Sequence, residues 1–176
     1  MRRKQLEHVI RAASAITGAK ELVVIGSQAI LGQFPDAPQD LTESIEADLF
    51  TWRDPRDSDL IDGSIGEGSP FHQTFGYHAH GVGAQTATLP DGWKSRTVQV
   101  STPETGGATA YCLEVHDLAV SKLVAGRDKD LSFVGALIRH SLIDVGVVRK
   151  RLTETQLSEP VRALCMGRIS RLSKKP

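Results

Sequence analysis

The sequence predicts an α/β domain followed by a helical C-terminal part, and three observations carry that reading. A β-branched run at residues 21–25 follows an amphipathic helical stretch and ends at Gly26 and Ser27. Further extended segments lie at residues 44–52, 97–100 and 110–115, and from His116 onward apolar residues recur at helical spacing. At 176 residues and 40% hydrophobic composition, the chain is long enough to close one core. One folded unit is therefore expected over residues 1–176, with 1–115 as the α/β core and 116–176 as the helical part.

Each element has its own signal. Leu6, Val9, Ile10, Ala13 and Ile16 share one helical face, and Gly18 is a sensible stop. The run ELVVI suits a buried strand. Ser27 is a good N-cap for a short helix over 28–33, which Pro35 ends. Residues 34–42, rich in Pro, Asp and Gln, predict a loop. In the strand at 44–52, Ile45, Ala47 and Leu49 share one face, while Ser44, Glu46, Asp48 and Phe50 share the other. Residues 54–83 interleave glycine with aromatics and histidine and predict short helical pieces in a mobile insert. The strands at 97–100 and 110–115 flank a turn at 103–107. Helices are then expected at 116–125, with Asp117 as capping or first-turn acid, and at 129–142, 147–157 and 159–172, the last with Pro160 in its first turn.

Charge is uneven. Net charge is zero, yet from Arg149 onward eight Lys and Arg face two Asp and Glu, so an acidic body carries a basic tail. Such a tail suits a phosphate backbone, or equally a solvated helix that screens the body. No leader-like segment opens the sequence, and no apolar stretch of about 20 residues occurs, so neither secretion nor membrane insertion is predicted. Cys112 and Cys165 lack metal-ligand spacing and read as reduced thiols of a cytoplasmic protein.

The chemistry centres on Gly26-Ser27 and the strand that follows. Period-two geometry sets Glu46 and Asp48 on one side of the sheet, where their repulsion favours a cation between them. Mg2+ joins such carboxylates to substrate phosphates. Glycine at a helix start lets the backbone approach an anion. His72, His78 and His80 have no neighbouring Cys or acid to complete a zinc set, and read as structural or substrate-contacting. Trp52, Trp93 and Tyr111 read as core or rim packing.

This Gly-Ser turn with its Glu46-Ala47-Asp48 strand resembles the nucleotidyltransferase superfamily. The run from Asp117 to Leu131, DLAVSKLVAGRDKDL, is similar to the K-L-x-A…R-x-K/R-D segment of the minimal, AbiEii-like bacterial branch. The resemblance covers residues 20–52 and 109–140 and implies a mixed β-sheet flanked by helices. It implies nucleotide contacts at Gly26, Ser27, Lys122, Arg127 and Lys129, a metal site at Glu46 and Asp48, and catalytic roles for Glu46, Asp48, Lys122 and Asp130. Against the family pattern the loop at 34–42 is an insertion and the first acid is Glu. No third carboxylate lies on 97–100, which leaves Glu114 or Asp130. The implied activity is Mg2+-dependent transfer of a nucleotidyl group from a nucleoside triphosphate to a hydroxyl. In this branch the acceptor is often tRNA and the enzyme a toxin with an antitoxin partner. The alternative is a non-catalytic nucleotide-binding or regulatory module of the same fold.

Overall fold

The computed structural model describes residues 1–174. Helix α1 (Arg3–Thr17) buries Leu6, Val9, Ile10 and Ala13 and leads directly into strand β1 (Glu21–Ile25), whose last four residues are buried. After a single-turn helix, α2 (Ile30–Gln33), strand β2 (Glu46–Thr51) runs antiparallel to β1, with Ile25 opposite Asp48. The chain then makes α3 (Asp57–Ile65) and α4 (Pro70–Phe75) before β3 (His78–Gly81), which lies parallel to β2. Strands β4 (Val98–Val100) and β5 (Thr109–Cys112) pair antiparallel, and β5 lies parallel to β1.

The result is a mixed five-stranded sheet of order β3-β2-β1-β5-β4, flanked by helices, as the resemblance implied. Central β1 is apolar because neighbours cover it on both edges and both faces; Leu22, Val23 and Val24 are fully buried.

Several expectations require correction. The segment 54–83 holds the expected short helices, α3 and α4, but ends in an edge strand of the sheet, β3, rather than standing apart as an insert. Glycine and histidine are weak strand formers, so β3 (HAHG) is specified by its pairing with β2 rather than by propensity. Gly81 is required there: a Cβ would meet the Ser58 carbonyl oxygen of α3 at 2.0 Å. The loop at 34–42 contains a 3-10 turn, Gln39–Leu41, anchored by the buried Leu41. Ile45 precedes β2 and is exposed rather than facing the core with Ala47 and Leu49.

The C-terminal part is helical throughout: α5 (Val115–Ala125), α6 (Asp128–Arg139), α7 (Val145–Thr153) and α8 (Glu159–Leu172). Glu114, rather than Asp117, caps α5, its carboxylate accepting the backbone N–H groups of His116 and Asp117. Asp117 lies in the first turn of α5, as one of the two readings had it, and is also a buried anchor. Its two oxygens accept from Arg96 Nε and Nη2 at 2.9 and 3.0 Å, and Arg151 Nη1 donates to the same carboxylate at 2.8 Å.

Three of the eight cations of the basic tail turn inward. Arg151 also pairs with Glu114, Arg162 donates to the Leu152 carbonyl at 2.6 Å, and Arg168 donates to the Leu123 carbonyl at the end of α5. Lys175, part of that tail, lies outside the described residues. Both cysteines are buried and unbridged; burial pushes the Cys112 thiol up to about 12. Among the described residues, no helix is long and apolar enough to cross a membrane.

Candidate active site

Two adjacent strand ends begin the site. Because Ile25 pairs with Asp48, the chain leaving β1 at Gly26 passes directly over the Asp48 carboxylate. Gly26 has φ 66°, and a Cβ there would stand 1.9 Å from Asp48 Oδ2. Only glycine satisfies both the backbone angle and the close approach. Glu46 and Asp48 are both partly exposed on the same face of β2, as period two requires, while Ala47 and Leu49 between and beyond them are buried.

The turn after Gly26 differs from expectation. Ser27 makes no capping hydrogen bond; it is the first residue of a 3-10 turn, Ser27–Ala29, that runs into a single helical turn, α2 (Ile30–Gln33). An anion here would meet close backbone more than the dipole of a long helix.

The cations come from the other side. Asp130, 1% exposed in the first turn of α6, accepts from Lys122 Nζ at 3.0 Å and Arg127 Nε at 2.6 Å. The end of α5 and the start of α6 thus converge on one carboxylate. Burial opposes its ionised form, but the hydrogen bonds from Arg127 and Lys122 outweigh that and hold the Asp130 carboxyl below its ordinary value.

Between these two groups lies a cleft of about 670 Å³. All eight residues that the resemblance implied line it: Gly26 and Ser27 from the turn, Glu46 and Asp48 from β2, and Lys122, Arg127, Lys129 and Asp130 from α5, α6 and their connection. Its volume falls in the range usual for small-molecule sites. Glu114, the other carboxylate left open, does not line it; its oxygens cap α5 and pair with His116 and Arg151.

One residue read from the sequence as structural or substrate-contacting, for want of a neighbouring acid, has two acids beside it in the fold. Pairing of β3 with β2 sets His80 opposite Asp48 and His78 opposite Glu46. His80 Nδ1 is 3.0 Å from Asp48 Oδ1 and 3.9 Å from Glu46 Oε1, and His78 Nε2 is 3.4 Å from Glu46 Oε2. The acids that complete a ligand set are more than thirty positions away in the chain, beyond the reach of any local spacing rule. The i, i+2 spacing of His78 and His80 was the signal available.

Electrostatics fit a cation. Burial first, and then the Glu46 charge, push the Asp48 carboxyl above its ordinary value, with His80 and Lys122 pulling the other way. For His80, burial disfavours the protonated form, but the Asp48 hydrogen bond and the charges of Asp48, Glu46 and Asp62 outweigh it and raise its pKa. Donor atoms of Glu46, Asp48 and His80 all lie within 4.8 Å of one another. A divalent ion suits this donor set, and Gly26 leaves the carboxylate uncovered.

No curated protein and no solved structure matches the sequence. A family model does, over residues 4–163, and its description is "Nucleotidyltransferase of unknown function (DUF6036)". That span contains the sheet, the turn, the acidic strand and the Lys122–Asp130 segment. The chain belongs to this family of nucleotidyltransferases.

Proposed function

We propose that the protein transfers a nucleotidyl group from a nucleoside triphosphate to a hydroxyl acceptor, with a divalent cation, Mg2+ being the abundant one, at Glu46 and Asp48. The observation that carries this reading is the convergence of eight residues from separate elements on one cleft, with Glu46 and Asp48 coming from β2 and Lys122, Arg127 and Lys129 from α5, α6 and their connection. Such a division binds a metal-complexed polyphosphate: acids take the cation and bases take the phosphate oxygens.

Each residue has a part in this proposal. Glu46 and Asp48 hold the cation, which supplies neutralisation of phosphate charge and polarises the group under attack. Gly26 and Ser27 bring backbone close to the phosphates. Lys122 and Arg127 neutralise charge on the leaving pyrophosphate, and Lys129 meets phosphate or acceptor at the rim. Asp130, its oxygens taken by Lys122 and Arg127, acts by positioning those two cations. The acceptor hydroxyl attacks the α-phosphorus in line, its bond to phosphorus forming as the bond to pyrophosphate breaks. Rate enhancement then rests on positioning and charge neutralisation.

The DLAVSKLVAGRDKDL segment supports placing the chain with the AbiEii-like branch, with tRNA as the first acceptor to try, a cytoplasmic site of action, and a toxin role opposed by an antitoxin protein. The test is incubation with labelled triphosphates, Mg2+ and total tRNA. Label transfer that is lost in Asp48→Ala and on chelation supports the proposal. Metal-dependent triphosphate binding without transfer to any acceptor favours a binding module instead.

A further inference from the structure

We infer that His80 is the third protein ligand of the cation at Glu46 and Asp48, and that its imidazole biases the site toward Mn2+ and other transition-metal ions over Mg2+. The inference rests on the proposed cation site and goes beyond it by naming the ligand that sets metal choice.

The placement follows from strand register. With β3 parallel to β2 and His80 opposite Asp48, the imidazole projects from the same face as both carboxylates. The geometry divides the oxygens of Glu46 between two histidines. Oε2 faces His78 Nε2 at 3.4 Å, and Oε1 faces His80 Nδ1 at 3.9 Å. His78 is buried, so it serves as an outer partner that fixes the Glu46 carboxylate, while half-exposed His80 reaches the cleft. The three donor atoms lie within 4.8 Å of one another, close enough that one ion could take all three as ligands.

Among the described residues, Glu46, Asp48 and His80 are the one group of three such donors close enough together to share an ion; Asp40, Glu43 and Asp130 line the same cleft outside that group. Strand β4 reads VQV and β5 reads TAYC, and the sheet order sets both on the far side of β1 from β2. Asp62 on α3 has Oδ1 accepting from the Gly81 N–H at 2.8 Å, tying down the end of the strand that carries His80. A mixed set of two carboxylates and one imidazole differs chemically from an all-oxygen site. Mg2+ prefers oxygen and retains its waters, whereas nitrogen donors favour first-row transition ions.

The test uses the intact protein with Mn2+ alone, followed by electron paramagnetic resonance. Wild type should bind Mn2+, show electron spin-echo modulation from a directly bound imidazole nitrogen, and release it only to a Mg2+ excess of about tenfold or more. His80→Ala should lose the nitrogen modulation and bind Mn2+ roughly 10–100-fold more weakly, with circular dichroism reporting an intact fold. His80→Asp should restore binding without the nitrogen signal and narrow the preference for Mn2+ over Mg2+. Binding by wild type without nitrogen modulation, and at equal strength in His80→Ala, overturns the assignment of His80 and leaves the carboxylate site standing. No Mn2+ binding by wild type at millimolar concentration overturns both, and Asp48→Ala provides that reference.

Discussion

Gly26 lies so close to Asp48 that one added methyl group would stand 1.9 Å from the carboxylate oxygen Oδ2. The turn and the acid are therefore a single unit, built by the pairing of Ile25 with Asp48. Gly26→Ala must accept a positive φ and also displace that carboxylate. The expected outcome is a stability loss of at least about 2 kcal/mol by denaturant titration, together with weakened binding of Mn2+ or triphosphate. A variant that keeps full stability and full ligand affinity would show that the turn and the carboxylate are independent.

Asp130 holds Lys122 and Arg127 at once. Asp130→Asn leaves Lys122, 13% exposed, without its counter-charge, while Arg127, 62% exposed, can turn to water. Stability should fall by about 3 kcal/mol, at the lower end for a broken buried pair. Triphosphate affinity measured by calorimetry should fall as well, because the two cations lose their common anchor. Unchanged affinity in a folded variant would remove Asp130 from any positioning role.

Acid should weaken the joint between the sheet-bearing part and the C-terminal helices. Burial opposes ionisation of Glu114, yet the His116 and Arg151 contacts outweigh it and hold its carboxyl at about 2, against an ordinary value of 4.5. A depressed folded-state pKa contributes stability that is fully present above the unfolded value and is lost as pH falls through the folded one. The window is therefore roughly pH 5 down to 2. At neutral pH the contribution is on the order of 2 kcal/mol once solvent screening is allowed for. Thermal melts should separate wild type from Glu114→Gln near pH 7 and bring them together toward pH 2; a constant gap across that window contradicts the assignment.

Gln28 is fully buried, and among the described residues neither its side-chain oxygen nor its nitrogen has a hydrogen-bond partner. A buried amide left unpaired costs about 1–3 kcal/mol. Gln28→Met, similar in length and apolar, should raise stability by about 1 kcal/mol. A lower melting temperature for this variant would indicate that an internal water satisfies the amide and has been displaced.

Local rules read most of the elements. Strand β1 and helix α8 fall at the expected residues because apolar periodicity and a proline at the helix start are properties of adjacent positions. They fail where a side chain has two competing uses. Serine after glycine reads as a cap, but the tight turn over Asp48 sets a 3-10 conformation in which Ser27 caps nothing. Asp117 does stand in the first turn of α5, but its pairing with Arg96 and Arg151 from distant segments is a second use that no local rule shows.

By itself, the sequence determined that Glu46 and Asp48 share a face, that a glycine turn precedes them, and that a Lys122–Asp130 segment follows on helices. These are consequences of two- and 3.6-residue periods, which any short window contains. Only the tertiary structure decided that His80 joins the acids, that Asp130 clasps two cations, and that Arg151, Arg162 and Arg168 turn inward. The placement of His80 and the inward turns of Arg151 and Arg168 depend on strand register or helix packing between residues remote in the chain, whereas Asp130 and Arg162 meet partners within ten positions because the chain folds back between two helices.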